Sequence, residues 1–317
     1  MTTPPPPQNL LDYITRWKPV RKGIWASKRI IFPGFDGMPL YDVTRFFFNG
    51  LSKGYITSRA SAISFSFVMA VFPFLIFLFT IIPFIPINNF QTVLLEIIKE
   101  FLPEKTWETV QETIMDVITK PRSSLLLLNF FLTLYFSTNG INSLIEAFNN
   151  TAHAFETRTV VKQYLISILL VIIISSLLIV SIGLMTFGSL VLDVIFPDVV
   201  TKSYFYLLTM EMFRWIAVVA LLLIAISFLY FLAPAKRSRY RFISAGSMVA
   251  TILVIVTTLG FNYYVDNFAR YNALYGSIGT LLIILVWIYL NSISLLIGFE
   301  LNMSILNAKT NSEMAKQ

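Results

Sequence analysis

The sequence contains no cysteine and a single histidine, His153, in 317 residues. The first absence excludes disulfides, thiolate nucleophiles, Cys-ligated zinc and iron–sulfur clusters. The second removes the usual zinc and non-haem iron sites, which take two or three imidazoles when thiolates are missing. Charge is scarce as well: Asp, Glu, Lys and Arg make up 13% of the chain, against about 25% in soluble proteins, so an ordinary soluble domain is excluded. There is no G-x-S-x-G elbow, no P-loop and no H-E-x-x-H pair. An enzymatic reading therefore has no motif behind it, and no cofactor is expected.

What is abundant is apolar. Hydrophobic residues reach 56%, 29 of them Phe, and the mean hydropathy is +0.73. Several runs are long enough to cross a hydrocarbon core of about 30 Å, which takes about 20 helical residues. Six spans are predicted, at 60–82, 125–148, 164–192, 214–233, 243–265 and 277–302, which makes the chain an all-α polytopic membrane protein. Before them lies an N-terminal arm, 1–58, with four prolines at 4–7 and basic residues Lys18, Arg21, Lys22, Lys28 and Arg29. No apolar h-region with a small-residue cleavage site follows these charges, so the arm is expected to persist. Its segment 41–55 mixes Phe46, Phe47, Phe48 and Leu51 with Arg45 and Lys53, the pattern of a helix lying in the membrane interface. The six-helix domain covers 59–305, and 306–317 is expected to be a short tail.

Between the first two spans, residues 88–122 change character. Glu96, Glu100, Glu104, Glu108, Glu112 and Asp116 recur every four residues, while Trp107, Val110, Ile114 and Val117 recur at three and four. This is the periodicity of amphipathic helices, and Pro103 separates two of them in a small cap. The acidic row reads either as a solvated helix face or as a surface that draws cations toward a pathway.

Six spans place both termini on one side. With that side inside, 17 of the 24 Lys and Arg are internal and 7 external, so the positive-inside rule puts the termini and the 236–241 loop in the cytoplasm and the cap outside. Lys236, Arg237, Arg239 and Arg241 in that loop serve either as a topology anchor or as a site for anionic lipid head groups.

Polar residues inside spans pair, line water or carry function, because isolated they are expensive in lipid. On the first span Arg59, Ala62, Ser66, Ala70 and Pro73 share one side, and Pro73 is expected to kink the helix before it ends near Pro83. Asn139, Asn142, Glu146 and Asn150 form a stripe on the second, as interhelical hydrogen bonds or as a solvated vestibule. The sixth carries Trp287, Asn291, Ser294, Gly298 and Asn302 on one stripe, with Glu300 projecting about 160° from Asn302, either buried or at the inner interface. Arg59, Glu146, Arg158 and Glu300 are expected at one depth, as a charge cluster closing the cytoplasmic ends. His153 falls in a short loop beside Glu156 and Arg158, as a solvated group or a proton relay.

The first span, Arg59-Ala60-Ser61-Ala62-Ile63-Ser64-Phe65 leading into Phe72-Pro73, resembles the opening motif of the YihY/BrkB family of bacterial inner-membrane proteins. Ile141 to Asn149 with Arg158, Tyr275-Gly276-Ser277-Ile278-Gly279, Trp287-Ile288-Tyr289-Leu290, and Gly298 with Glu300-Leu301-Asn302 are similar to its later motifs. One departure is Phe299, where the family usually has alanine, which puts tight packing at that point in question. The resemblance implies six membrane helices in the bacterial cytoplasmic membrane. It also brings the family's other name, ribonuclease BN, which the single histidine contradicts: a metal-dependent tRNA nuclease needs an H-x-H-x-D-H cluster. The expected function is translocation or handling of a lipid, a lipid-linked precursor or a small solute, with a non-transporting envelope scaffold as the alternative. The expected partners are membrane lipids and no nucleic acid; no oligomeric state is set.

Overall fold

In a computed structural model the chain is described at residues 25, 27–32, 34–85, 90–101, 111–112, 114–116, 118–151, 154–155, 158–195, 204–235, 241–267 and 277–314. Eight helices organise these residues: α1 Leu40–Lys53, α2 Ile56–Ile81, α3 Phe90–Phe101, α4 Ser123–Asn149, α5 Val160–Ile195, α6 Tyr204–Leu232, α7 Ala245–Asn267 and α8 Ser277–Met314. Two-residue strands, β1 Asn150–Thr151 and β2 Ala154–Phe155, pair antiparallel in the turn between α4 and α5. Six segments have the length and hydropathy to cross a membrane: Ile56–Phe84, Ser123–Asn149, Val160–Met185, Glu211–Leu232, Ala245–Val265 and Leu281–Met314. The all-α polytopic architecture is therefore the one the hydropathy predicts.

Proline and glycine punctuate the first span. Pro83 has no amide to donate, and the helix gives way there to a single 3₁₀ turn, Ile82–Phe84. At the other end Gly54 separates α1 from α2, and Tyr55 takes a left-handed conformation (φ 47°) to redirect the chain.

Each span packs against the next in sequence, α2 on α4, α4 on α5, α5 on α6, α6 on α7 and α7 on α8, and α8 closes the ring on α2. The end of the ring at which α2 begins, and through which α8 leaves, is termed proximal. The main buried cluster gathers Ala60 and Ile63 of α2, Ile141 to Phe148 of α4, Leu170 of α5, Ile226 to Tyr230 of α6, Ala250 of α7, and Leu296, Phe299 and Met303 of α8. At 1.5 Å per residue all of it lies within about 15 Å of the proximal helix ends. Toward the distal end the described buried apolar side chains are fewer: Val68, Ala70 and Pro73 of α2, Ile118 just before α4, and Phe261 of α7. Among the described residues the buried apolar side chains are concentrated at the proximal end.

The last helix departs from expectation. α8 has 38 residues, about 57 Å, nearly twice the hydrocarbon thickness, so the segment 306–317 read as a tail is helical through Met314. Beyond Asn302 the apolar residues Ile305 and Ala308 come at a helical spacing of three, too sparse for a span but sufficient for a stripe. They are buried in a second cluster with Met38, Val43 and Ala245, flanked by Phe35, Phe46 and Leu301. This cluster seats α1 on α8 and draws in the loop at 34–38, where Gly34 (φ 93°) and Gly37 (φ 82°) permit the turn. Asp36 between them lies 3.7 Å from both Arg241 and Lys309, tying the loop to the starts and ends of the bundle helices.

On the distal side α3 supplies the first cap helix, and the described residues from 111 to 119 are helical. Pro103, Glu104, Trp107 and Glu108 lie outside the described residues, while Glu96 and Glu112 are exposed. A hydrogen bond from Lys120 at 2.6 Å, with the added charge of Arg122, holds the Asp116 carboxyl below its usual range.

Candidate functional site

The predicted charge cluster resolves into separate arrangements. Arg59 and Glu300 meet: Nη1 donates to the Glu300 carboxylate at 2.8 Å and to the Gly54 carbonyl at 3.0 Å. Glu300 is fully buried within the protein, and the Arg59 side chain is 10% exposed. Compensation is incomplete, since Arg59 Nε and Nη2 and the second Glu300 oxygen have no hydrogen-bond partner. Gly54 is part of the same site; a Cβ there would stand 3.2 Å from both Arg59 Nη1 and the Glu300 carboxylate.

Glu146 and Arg158 go elsewhere. Arg158 donates to the carbonyl of Leu232 at 3.1 Å and to that of Pro234, satisfying acceptors orphaned at the C-terminus of α6. Glu146 accepts from Asn142 at 2.9 Å, and Gln163 of α5 donates to Asn142 at 2.7 Å and approaches Glu146 at 3.4 Å. Further along, Tyr164 donates to Asn139 at 3.3 Å. The polar stripe of α4 thus makes interhelical hydrogen bonds and stays half-buried to exposed, in one continuous strip with Ser143 and Ser66, whose hydroxyls are 2.7 Å apart. Asn150 ends the helix.

On α8 the polar residues divide as well. Asn302 accepts from the Gly246 amide and donates to Ser244, fixing the start of α7 at 2.8 Å on each side. Asn291 donates to Trp287 one turn back at 2.9 Å and leaves its buried oxygen without a partner. Thr133 and Thr138 of α4 also keep unpartnered buried hydroxyls. Phe299, in place of the family's alanine, packs fully buried: it stacks on Phe148 with centroids 4.3 Å apart and meets the Tyr230 ring edge-on. Next to it in the chain, Gly298 brings α8 into backbone contact with α7 at Gly246.

Of the basic loop, Arg241 is exposed and faces Asp36, whereas Lys236, Arg237 and Arg239 lie outside the described residues, as does His153. Among the described residues no three acidic or imidazole side chains converge as metal ligands would.

The virulence factor BrkB family model matches residues 47–317, which include all six spans, the buried pair and the strip. The chain belongs to the BrkB family. It is 30% identical over 245 residues to the ribonuclease-like protein YfkH of Bacillus subtilis (strain 168), covering 77% of this chain and 88% of that one. It is 35% identical over 94 residues to a UPF0761 membrane protein of Xanthomonas campestris pv. campestris (strain B100), and 36% over 91 to one of Alteromonas mediterranea. Those shorter matches cover 29% of this chain and only 22% and 31% of the relatives. No solved structure matches the chain. The BrkB match begins inside α1, so the loop carrying Asp36 precedes the family region.

Gln163, Tyr230, Gly54 and Gly246 were not singled out from the sequence. Gly246-x-x-x-Ala250 is a small-x-x-x-small pattern that marks close helix approach and would have found one of them.

Proposed function

We propose that this BrkB-family chain is a translocator of the bacterial cytoplasmic membrane, moving a lipid, a lipid-linked precursor or a small solute, with its proximal end in the cytoplasm and without enzymatic activity. The reading rests on the one-sided filling of the ring. A closed circle of six spans that only stabilises itself gains by packing apolar side chains along its whole length. Here the main buried cluster of the described residues stops about halfway, and above it the buried side-chain oxygens of Thr138, Thr133 and Asn291 have no hydrogen-bond partner in the protein. On this reading the distal half would enclose a hydrated chamber above the proximal plug, one end-state of alternating access.

The test uses the absence of native cysteine. Single cysteines at Thr138 and Asn291 are expected to react with an impermeant thiol reagent from the distal side, while one at Leu144, 1% exposed in the plug, stays protected. Unreactive 138 and 291 beside a reactive Glu112→Cys would favour the scaffold. The same purified protein is expected to leave tRNA intact in divalent metal; cleavage that co-purifies and is lost in His153→Ala would overturn the non-enzymatic reading.

Orientation follows from the 17 to 7 division of basic residues. In intact cells Glu112→Cys is expected to be modified by the impermeant reagent, and Glu313→Cys only after permeabilisation. The reverse pattern inverts the protein.

A further inference from the structure

The polar strip on the outside of the ring is used neither by the plug nor by the chamber. On α4, Asn139, Asn142, Ser143 and Glu146 fall within an arc of about 100°. All four are half-buried or exposed, while Gly140, Ile141, Leu144, Ile145, Ala147 and Phe148 on the rest of the helix are buried. Ser66 of α2 and Gln163 and Tyr164 of α5 continue the strip across both neighbours. Glu146 is about 4.5 Å and Asn139 about 15 Å from the proximal end of α4, so the strip runs from the interface well into hydrocarbon depth. Polar groups exposed at that depth are stable only when something polar covers them.

A second copy of the chain is a poor cover. A two-fold contact whose axis passes beside Glu146 would set the two carboxylates against each other. An anionic head group meets the same repulsion. Glu146 gives one carboxylate oxygen to Asn142 and Gln163 and has a second to offer an ammonium donor.

We infer that the strip is a binding site for the head group of an amine-bearing zwitterionic phospholipid, its ammonium on Glu146, with Asn139 and Asn142 lining the way to mid-membrane. The acyl chains then stay in lipid while the head group sits below the interface. This site stands whether or not the chain transports anything.

The test is retention of lipid by the full chain in detergent, followed by native mass spectrometry after equilibration with equimolar phosphatidylethanolamine, phosphatidylcholine and phosphatidylglycerol. Phosphatidylethanolamine is expected to exceed phosphatidylglycerol by about fivefold, the ratio given by one exposed ion pair of about 1 kcal/mol. Phosphatidylcholine, lacking an N–H donor, falls between. Glu146→Gln is expected to abolish the preference, and Glu146→Lys to reverse it, each with the melting temperature of the parent. Equal retention of the three lipids by the parent chain, or an unaltered preference in Glu146→Lys, overturns the inference. So does disulfide-linked dimer formation by Glu146→Cys in membranes, which would make the strip an interface between copies.

Discussion

Replacing Glu300 by Gln is expected to destabilise the protein by about 3–5 kcal/mol, because it leaves the Arg59 guanidinium buried without its counter-charge. Glu300 is 0% exposed and Arg59 10%, so solvent screening gives little relief. Arg59→Gln should cost a similar amount, by stranding the carboxylate. The double variant should cost less than the sum, since both charges leave together and an uncharged pair can hydrogen-bond in the same place. The orphaned Nε, Nη2 and second carboxylate oxygen sharpen the expectation: the native pair is itself imperfectly compensated, so removing both charges gives back desolvation energy. Thermal unfolding in detergent of the two single variants and the double variant measures this. Additive effects would show that the two side chains do not interact.

The second large effect is steric. A Cβ on Gly298 would come within 2.6 Å of both the Ala250 Cβ and the Gly246 carbonyl oxygen, and 2.7 Å from the Tyr230 hydroxyl. Two of these neighbours, a backbone oxygen and an alanine methyl fixed to its helix, cannot rotate away. Gly298→Ala must therefore separate α7 from α8 or tilt them. The loss is expected at the upper end of the roughly 1–3 kcal/mol typical of overpacking, or beyond it. The displacement also strains the Tyr230 hydrogen bond to the Leu295 carbonyl, 2.5 Å long. Gly260 of α7, where a Cβ would meet no atom within 4 Å, is the control. Gly260→Ala should be neutral or stabilise by about 0.5–1 kcal/mol through the helical preference of alanine. A Gly298→Ala protein that melts with its parent would mean that the two helices are not held at this distance.

The spans were legible because long apolar helices leave a signal in every residue they contain, and the predicted 125–148 and 243–265 differ from Ser123–Asn149 and Ala245–Val265 by no more than two residues at an end. The Arg59–Glu300 pair was legible for a different reason: two charges that cannot remain alone at one depth of a membrane have few partners to choose from. Arg158 and Glu146 satisfied the same depth argument yet found other partners. Arg158 turns to backbone carbonyls at the end of α6, and Glu146 to amides on its own helix and on α5, acceptors and donors that carry no charge to count. The continuation of α8 past Asn302 was hidden because its apolar stripe answers to α1 and the loop at 34–38, not to lipid. The fit of Phe299 could not be read locally either, since its ring packs on Phe148 and Tyr230, each more than sixty residues away.

Closure of the ring sets a timetable. Five of its six seams join spans that follow one another in the chain and can zip together as each emerges, with modest loss of chain entropy. The sixth waits for α8, and Arg59 and Glu300 are 241 residues apart. At about 5–20 residues per second of synthesis, the arginine spends tens of seconds at the edge of the bilayer before its carboxylate is made. Throughout that interval the nascent chain is an open arc, with unsatisfied edges on its first span and on the span most recently made. A molecule that stops short of α8 lacks the carboxylate that compensates its arginine.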